Sequence, residues 1–175
     1  TWEIHEGKGE DFAEFVSHTW EYCYDTFQPK PVETDYTPDY TKEILSHFFI
    51  ESFVGDRPLN YNSGVHMRTD DCQNTGSAEV GFVGRVLLNA FNAWEYGWKN
   101  NRADLKENAA KVFDTYLVNG FSPAGFFKEF VDYRTGYEET VFSIRRQSEG
   151  IYAIFHYLDF EKRNGRKHPE WEAKV

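Results

Sequence analysis

The stretch 69–98, TDDCQNTGSAEVGFVGRVLLNAFNAWEYGW, carries a polar, acidic loop directly into a nearly all-apolar segment. Ser77 can cap the first turn of a helix, and Glu79 would then lie near the positive end of the helix dipole. The apolar residues that follow cover every side of a helix: Val80, Phe82, Val83, Val86, Leu87, Leu88, Ala90, Phe91, Ala93 and Trp94. We therefore predict a helix over 77–98 that is buried all round, with the loop before it at the rim of a bundle or ring.

The chain of 175 residues is long enough for one domain, or for a large part of one, with a core of ordinary size. It begins with Thr1-Trp2, without a start methionine or a signal peptide, so we expect a mature chain or an excised fragment. The net charge of -10 argues against nucleic acid or an anionic membrane surface as partner, because both need Lys and Arg to neutralise phosphate. The sequence contains no run of about 18 apolar residues, so it predicts no transmembrane helix.

Three other segments have the apolar period of an amphipathic helix with one side in water. They cover residues 10–27, 38–54 and 103–119. The first of these helices and a linker make up residues 1–36, and residues 37–175 form a region of helical hairpins. A second helix that is apolar on all sides is predicted from Ser148 to about residue 163, and a last helix opens at Pro169.

Two segments lose the helical period. Residues 55–76 are rich in Gly, Pro, Asn and Asp and predict a long loop with a short strand near Val65–Arg68. The runs FFKEFVDY and TVFSIRR, on either side of Arg134-Thr135-Gly136, predict a β-hairpin inserted between helices. Each segment precedes an all-apolar helix and only short turns follow those helices. We therefore expect both segments at the same end of the molecule, which becomes the candidate functional face.

Helices with one wet side alternate along the chain with helices predicted to be dry all round, which indicates two concentric layers. This alternation, with the similar helix starts SAEVG at 77–81 and QSEG at 147–150, resembles the (α/α) toroid of six-hairpin glycosidases and of related polysaccharide lyases and sugar epimerases. The resemblance implies an all-α fold of helical hairpins arranged as part of a toroid, with a small β-hairpin insertion. It also implies a carbohydrate cleft over the starts of the inner helices, and it favours a periplasmic or secreted location.

A closed toroid needs a considerably longer chain than this one. The resemblance therefore implies a half-ring, which would leave the surface of its inner helices exposed. Such an apolar patch would be larger than the few hundred Å² usual for monomers. We expect it to pair with a second copy, as a homodimer, or with the missing half of the toroid.

Acidic residues are the candidates for acid and base catalysis. Burial or like-charge crowding can raise the pKa of one carboxyl group of Asp70-Asp71 while the other stays ionised, although both residues also fit a turn that caps backbone N–H groups. Glycoside hydrolysis in most families uses two carboxyl groups across the scissile bond. Glu79 is the third catalytic candidate. Glu149 occupies the matching place in the second inner helix, and each of these glutamates would also complement a helix dipole.

Other residues are candidates for substrate binding. Arg145 or Arg146 could clamp a substrate carboxylate, such as that of a uronic acid, or could pair with Asp70 or Glu79. Loop tyrosines can stack on sugar rings. The full set of binding candidates is Tyr61, His66, Arg68, Tyr137, Arg145, Arg146 and Glu149. His66 and Cys72 flank the acidic pair, but their spacing fits no standard zinc or calcium loop, so neither a metal nor another cofactor is expected.

These patterns predict a carbohydrate-active enzyme, with a glycoside hydrolase favoured over a lyase or an epimerase. The alternative is a non-catalytic helical module for binding or assembly, or an inactive fragment of a larger enzyme. Two carboxylates facing each other across an open cleft would favour catalysis. Scattered carboxylates held in salt bridges would favour the module.

Overall fold

The computed structural model describes residues 11–63, 65–67, 72–82 and 85–175, with the backbone alone for 65–67 and 72–74. The chain divides into two compact units, residues 1–37 and 38–175. In the first unit, α1 (Phe12–Phe27) begins after Asp11, whose side chain accepts the Glu14 backbone N–H at 2.9 Å. None of the residues of α1 is buried.

The described part of the second unit contains five helices. They are α2 (Pro38–Ser52), α3 (Val86–Lys99), α4 (Ala103–Asn119), α5 (Ile144–Arg163) and α6 (Pro169–Glu172). Helix α3 packs against α2, α4 and α5, and α6 packs against α5. Because α3 touches three helices, its residues Val86, Leu87 and Ala90 are wholly buried. Helix α3 is therefore the centre of this unit.

Two small antiparallel sheets connect the helices. Strand β1 (Val65–Met67) pairs with β2 (Cys72–Asn74), while β3 (Ser77–Glu79), β4 (Phe130–Asp132) and β5 (Tyr137–Glu138) form a three-stranded sheet with β4 in the middle. Glu79 lies opposite Phe130 in this sheet. The predicted hairpin turn at 134–136 is confirmed, but its second strand is β5 and not the TVFSIRR run.

The helix predicted over 77–98 is wrong at its N-terminal end. Ser77 and Glu79 belong to β3, because their backbone groups pair with β4, and the helix begins only at Val86. Between the strand and the helix, Phe82 and Arg85 adopt left-handed backbone conformations with φ of +66° and +37°. A continuous right-handed helix cannot contain such residues. Ser77 therefore caps no helix, and Glu79 complements no helix dipole.

The second all-apolar helix also differs from its prediction. Helix α5 begins at Ile144 instead of Ser148, with the Ser143 hydroxyl accepting the Arg146 backbone N–H at 3.3 Å. One side of α5 is buried, through Gly150, Ala153, Ile154 and Tyr157, and another side is exposed, through Ile144, Ile151, Tyr152 and Phe155. The prediction that α5 is dry all round is wrong because, of the described helices, only α3 packs broadly against it, and α6 adds a small contact.

The described residues are mostly helical and carry small antiparallel sheets. This agrees with the predicted class of a helical fold that contains a small β-hairpin. The amphipathic helix predicted at 103–119 is confirmed, with Leu105, Val112 and Tyr116 on its buried side. Within the described ranges, no helix has both the length and the apolar character that a membrane crossing requires.

Candidate functional site

The start of α5 meets the segment that joins β3 to α3. A Cβ atom added at Gly81 would lie only 2.9 Å from the Cα of Arg146 and 3.0 Å from Oε2 of Glu149. Glycine at this position therefore permits a close approach of the two backbones. The approach brings Glu79 to the same region as Arg146 and Glu149, although a long stretch of sequence separates them.

Glu149 is bound to the loop after β3. Its Oε2 accepts the backbone N–H of Phe82 at 2.5 Å and lies 3.7 Å from Nε of Arg85. Its Oε1 lies 3.5 Å from Nε of Arg145. Glu149 therefore stabilises the turn at Phe82, instead of occupying the first helical turn as the sequence had indicated.

Phe82 is an exposed aromatic residue that the sequence analysis assigned to a buried helix. Its side chain is 44% exposed, and Cζ of Arg145 lies 4.6 Å from the ring centroid. A left-handed conformation in a bulky residue costs roughly 1–3 kcal/mol, and such residues cluster at functional sites. The only sequence signal for this turn was the glycine on either side, at positions 81 and 84.

Glu129 is a buried carboxylate that the sequence analysis missed. Its Oε1 accepts the backbone N–H of Ser143 at 2.5 Å and Nε2–H of Gln147 at 3.0 Å. Its Oε2 lies 3.5 Å from Nη1 of Arg146. A usable signal existed, because period-two alternation places Glu129 on the same face as the buried apolar residues Phe127 and Val131. A carboxylate on an apolar face needs partners, and the first turn of α5 supplies them.

Arg146 lies among three carboxyl groups. Besides its ion pair with Glu129, it acts by charge on Glu79 and Glu139. Burial raises the pKa of Glu79, and the positive charge of Arg146 partly opposes that rise. The backbone N–H groups of Val141 and Thr140 hold the pKa of Glu139 below its usual value. The pKa of Glu79 is thus raised, and the pKa of Glu139, which also lies within reach of the Arg146 charge, is lowered.

An open hollow of about 340 Å³ lies over the start of α5. It is lined by Phe82, Glu129, Glu139, Val141, Ser143, Arg145 and Arg146. The lining combines an aromatic ring, carboxylates and guanidinium groups. These are groups that can stack on a ring-shaped ligand, accept hydrogen bonds from it and donate hydrogen bonds to it.

The two tyrosine candidates differ in position. Tyr61 is wholly buried, and its hydroxyl accepts Nδ2–H of Asn89 at 3.2 Å, so its interpretation as an exposed sugar platform is wrong. It belongs to the core because Phe49 packs beside it, with 5.5 Å between ring centroids. Tyr137 is exposed on β5, and its hydroxyl donates to Oε1 of Glu139 at 3.2 Å.

Four candidates lie wholly or partly outside this description. Arg68, Asp70 and Asp71 fall outside the described residues, and His66 lies in β1, where only the backbone is described. Among the side chains that are described, no group of three or more His, Cys, Asp or Glu residues could hold a metal ion.

Comparison of the chain with models of protein families, with curated proteins and with solved structures gives no match. The geometry of the described residues is therefore the basis for the function that we propose.

Proposed function

We propose that this chain forms part of the substrate cleft of a carbohydrate-active enzyme of the (α/α) toroid type, most simply a glycoside hydrolase. In this proposal the hollow at the start of α5 binds one sugar ring. The observation that supports it best is the convergence of Arg146 and Glu149 on Phe82, with Glu79 near enough to Arg146 for that positive charge to act on its carboxyl group. Sequence patterns had singled out these three charged residues independently of any structure.

The chemistry of the hollow suits a sugar. The C–H face of a pyranose ring stacks on an aromatic side chain, and its hydroxyl groups bind carboxylates and guanidinium groups. Phe82 supplies an exposed ring, and Arg145 and the half-buried Glu139 supply charged groups. Tyr137 lies beside the hollow, because its hydroxyl donates to Glu139. Bound sugar would compete with the guanidinium of Arg145 for the face of Phe82.

Glu79 is the proposed general acid. Such an acid must keep its proton near the working pH, which a carboxyl group does only when its pKa is raised. Burial raises the pKa of Glu79, which is the direction that this role requires. The second carboxyl group that glycoside hydrolysis requires would come from Asp70 or Asp71, as predicted from the sequence.

The test is a titration of neutral and uronic-acid oligosaccharides against the wild-type chain and two variants. Phe82→Ala should weaken binding about threefold to tenfold, because an aromatic stacking contact contributes roughly 0.5–1.5 kcal/mol. Phe155→Ala is the matched control, since Phe155 is similarly exposed, at 56%, but does not line the hollow. Equal effects of the two substitutions, or binding of no sugar at all, would contradict the proposal. Glu79→Gln should abolish hydrolysis and leave binding within about twofold.

A helical assembly module is the second candidate, and two observations favour it. The carboxylates of Glu129 and Glu149 are engaged in hydrogen bonds and ion pairs. Helix α5 also presents an apolar stripe of Ile151, Tyr152 and Phe155 to solvent. This stripe would pack against another helical hairpin, from a second copy or from the missing half of a ring. Light scattering tests whether the stripe pairs with a second copy of the chain. A dimer that the substitution Phe155→Glu dissociates would support this pairing. A chain that stays monomeric at high concentration would exclude it.

A further inference from the structure

A second cavity, of about 290 Å³, lies between α2 and α3. Its walls come from these two helices and from Tyr61, and none of its lining residues lines the hollow over α5. A cavity of about 150 Å³ already holds a benzene molecule. The cavity between α2 and α3 therefore has room for an aromatic ring together with a substituent of similar size.

Small side chains keep this cavity open. Helix α2 buries Ser46, Phe49 and Ser52, which follow one another at the three-residue spacing of one helix side. Ser46 lines the cavity from α2, and Ala93, which is also buried, lines it from α3. Protein interiors are normally close-packed, so an unfilled space beside buried side chains suits a small molecule.

Aromatic side chains form much of the cavity wall. Phe49 on α2 is buried, its neighbour Phe48 is partly exposed, and Tyr96 on α3 is partly buried. Such rings bind a flat aromatic group through offset or edge-to-face contacts. The exposed Leu45 adds further apolar surface. The apolar part of the cavity therefore fits an aromatic ring.

The two helices run in opposite directions beside the cavity. Near the start of α2, the carboxylate of Glu43 accepts hydrogen bonds from Nη1 of Arg102, which follows α3, at 2.9 and 3.1 Å. The hydroxyl of Tyr61, which follows α2, accepts Nδ2–H of Asn89 near the start of α3 at 3.2 Å. The start of α2 and the end of α3 therefore share one end of the cavity.

That end carries two opposite charges on the cavity wall, Lys42 on α2 and Glu95 on α3. Lys42 pairs with Asp39 of its own helix at 3.0 Å, and Glu95 pairs with Lys99 of its own helix at 2.9 Å. The side chains of Asp39 and Lys99 are mostly exposed, and exposed pairs of this kind contribute little to stability. Both charged groups can therefore turn to a ligand.

We propose that this cavity binds a free aromatic α-amino acid. The ring lies among Phe48, Phe49 and Tyr96. The carboxylate of the ligand binds Lys42, and its ammonium group binds Glu95. An aromatic α-amino acid carries both charges next to each other beside one ring, which matches a cavity with aromatic walls and two opposite charges at one end. This site is independent of the carbohydrate function proposed for the hollow over α5.

The test is an NMR titration of the wild-type chain with L-phenylalanine, followed through the side-chain amide of Asn92 and the methyl group of Ala93, which line the cavity. Saturable shifts with a dissociation constant of roughly 1 mM or lower are expected. Three analogues each lack one recognised group: 3-phenylpropionate lacks the ammonium group, phenethylamine lacks the carboxylate and L-alanine lacks the ring. Each should bind at least about fivefold more weakly. Equal binding of L-phenylalanine and its analogues, or no saturable shift up to about 10 mM L-phenylalanine, overturns the proposal.

Two substitutions, each tested with these ligands, show which group each charged side chain binds. Glu95→Gln should weaken L-phenylalanine about fivefold and should not weaken 3-phenylpropionate, which lacks the ammonium group. Lys42→Met should weaken L-phenylalanine by a similar factor and should not weaken phenethylamine, which lacks the carboxylate. Glu107→Gln is the matched control, because Glu107 is an exposed glutamate on α4 that does not line the cavity. Equal effects of Glu95→Gln and Glu107→Gln on L-phenylalanine would overturn the proposal, and so would equal losses for L-phenylalanine and 3-phenylpropionate in Glu95→Gln.

Discussion

Replacing Glu161 with alanine should lower the free energy of unfolding by about 2–4 kcal/mol. Glu161 lies on α5 with its side chain 1% exposed, yet it accepts four short hydrogen bonds. Its Oε1 accepts Nε1–H of Trp94 at 2.7 Å and an Nη2–H of Arg166 at 2.6 Å. Its Oε2 accepts Nε–H of Arg166 at 2.7 Å and lies 2.8 Å from Nε2 of His168. One carboxylate thus ties α5 to α3 and to the segment that leads into α6.

The stability lost in Glu161→Ala depends on whether the groups that bind Glu161 can find water or another partner once the carboxylate is removed. Breaking a fully buried ion pair costs roughly 3–5 kcal/mol, because a charge is left without compensation. The side chain of Arg166 is 32% exposed and lies over the ring of Trp98, so its charge can turn toward water, which reduces this cost. The indole N–H of the half-buried Trp94 also loses its acceptor, and a buried donor left unpaired costs roughly 1–3 kcal/mol.

The same carboxylate makes stability depend on pH. Burial by itself would raise the pKa of Glu161, but hydrogen bonds from Arg166, His168 and Trp94 outweigh it and lower the pKa. A carboxyl group whose pKa is lower in the folded state contributes stability above its unfolded pKa of about 4.3, and this stability is lost as the pH falls through the folded value. Wild-type stability should therefore decline on acidification below about pH 4.3, and Glu161→Gln should decline less over that range.

The assay is urea unfolding followed by tryptophan fluorescence at pH 7. The matched control is Glu170→Ala, because Glu170 is 51% exposed and its carboxylate only reaches within 3.6 Å of Nδ1 of His168. This control should change stability by less than about 0.5 kcal/mol. Equal losses in the two variants, or a loss below about 1 kcal/mol for Glu161→Ala, would refute the argument from burial and pairing.

Three further substitutions test corrections to the predicted fold by the same unfolding assay. Gly81→Ala should cost about 1–3 kcal/mol, since its Cβ would meet a main-chain atom of α5 at 2.9 Å, whereas Gly55→Ala, with its nearest contact at 3.6 Å, should change stability by less than about 0.5 kcal/mol. Ser143→Ala should cost about 1 kcal/mol as the true N-cap of α5, and Ser148→Ala should cost less than half of that. Tyr61→Phe should cost about 1 kcal/mol through its lost side-chain hydrogen bonds and leave sugar binding unchanged, because the ring is buried.

Helices with strong local signals were predictable from the sequence. The helix at 103–119 agrees with its prediction because one apolar side and a following glycine define it without reference to other elements. Pro38 opens α2 as predicted, for the similarly local reason that proline suits a first helical turn. The hairpin turn before Tyr137 was also readable, since Gly136 takes the left-handed conformation that its turn requires.

The segment before α3 was not predictable because its structure depends on distant residues. An apolar run without period fits a buried strand as well as a buried helix. Strand β3 was selected by pairing with β4, about 50 residues later in the chain, and no local pattern contains that information. The apparent match of Glu79 with Glu149 failed for this reason, since one residue lies on a strand and the other lies on a helix.

The candidate site was partly predictable. Charged residues at the two motif-like stretches do converge, but Phe82 was missed because its turn interrupts a segment predicted to be helical. Glu129 was missed because a lone carboxylate in an apolar strand was not treated as a signal. Tyr61 was misassigned because residues in loops were assumed to be exposed, whereas the segment that carries Tyr61 packs against β3.

The two all-apolar helices show what such a pattern actually reports. Helix α3 is largely buried because α2, α4 and α5 pack against it, although Asn92 and Trp98 stay exposed and the prediction of burial all round is wrong there. Helix α5 has a comparable apolar sequence and exposes Tyr152 and Phe155. Exposed apolar surface forfeits roughly 25 cal/mol per Å² relative to burial, so a stripe of large apolar side chains has no stabilising role until something covers it. The apolar pattern therefore shows that a helix is suited to burial on all sides. It does not show that the same chain supplies the neighbours that bury it. On this reasoning the exposed side of α5 would suit the interface that the second proposed function requires.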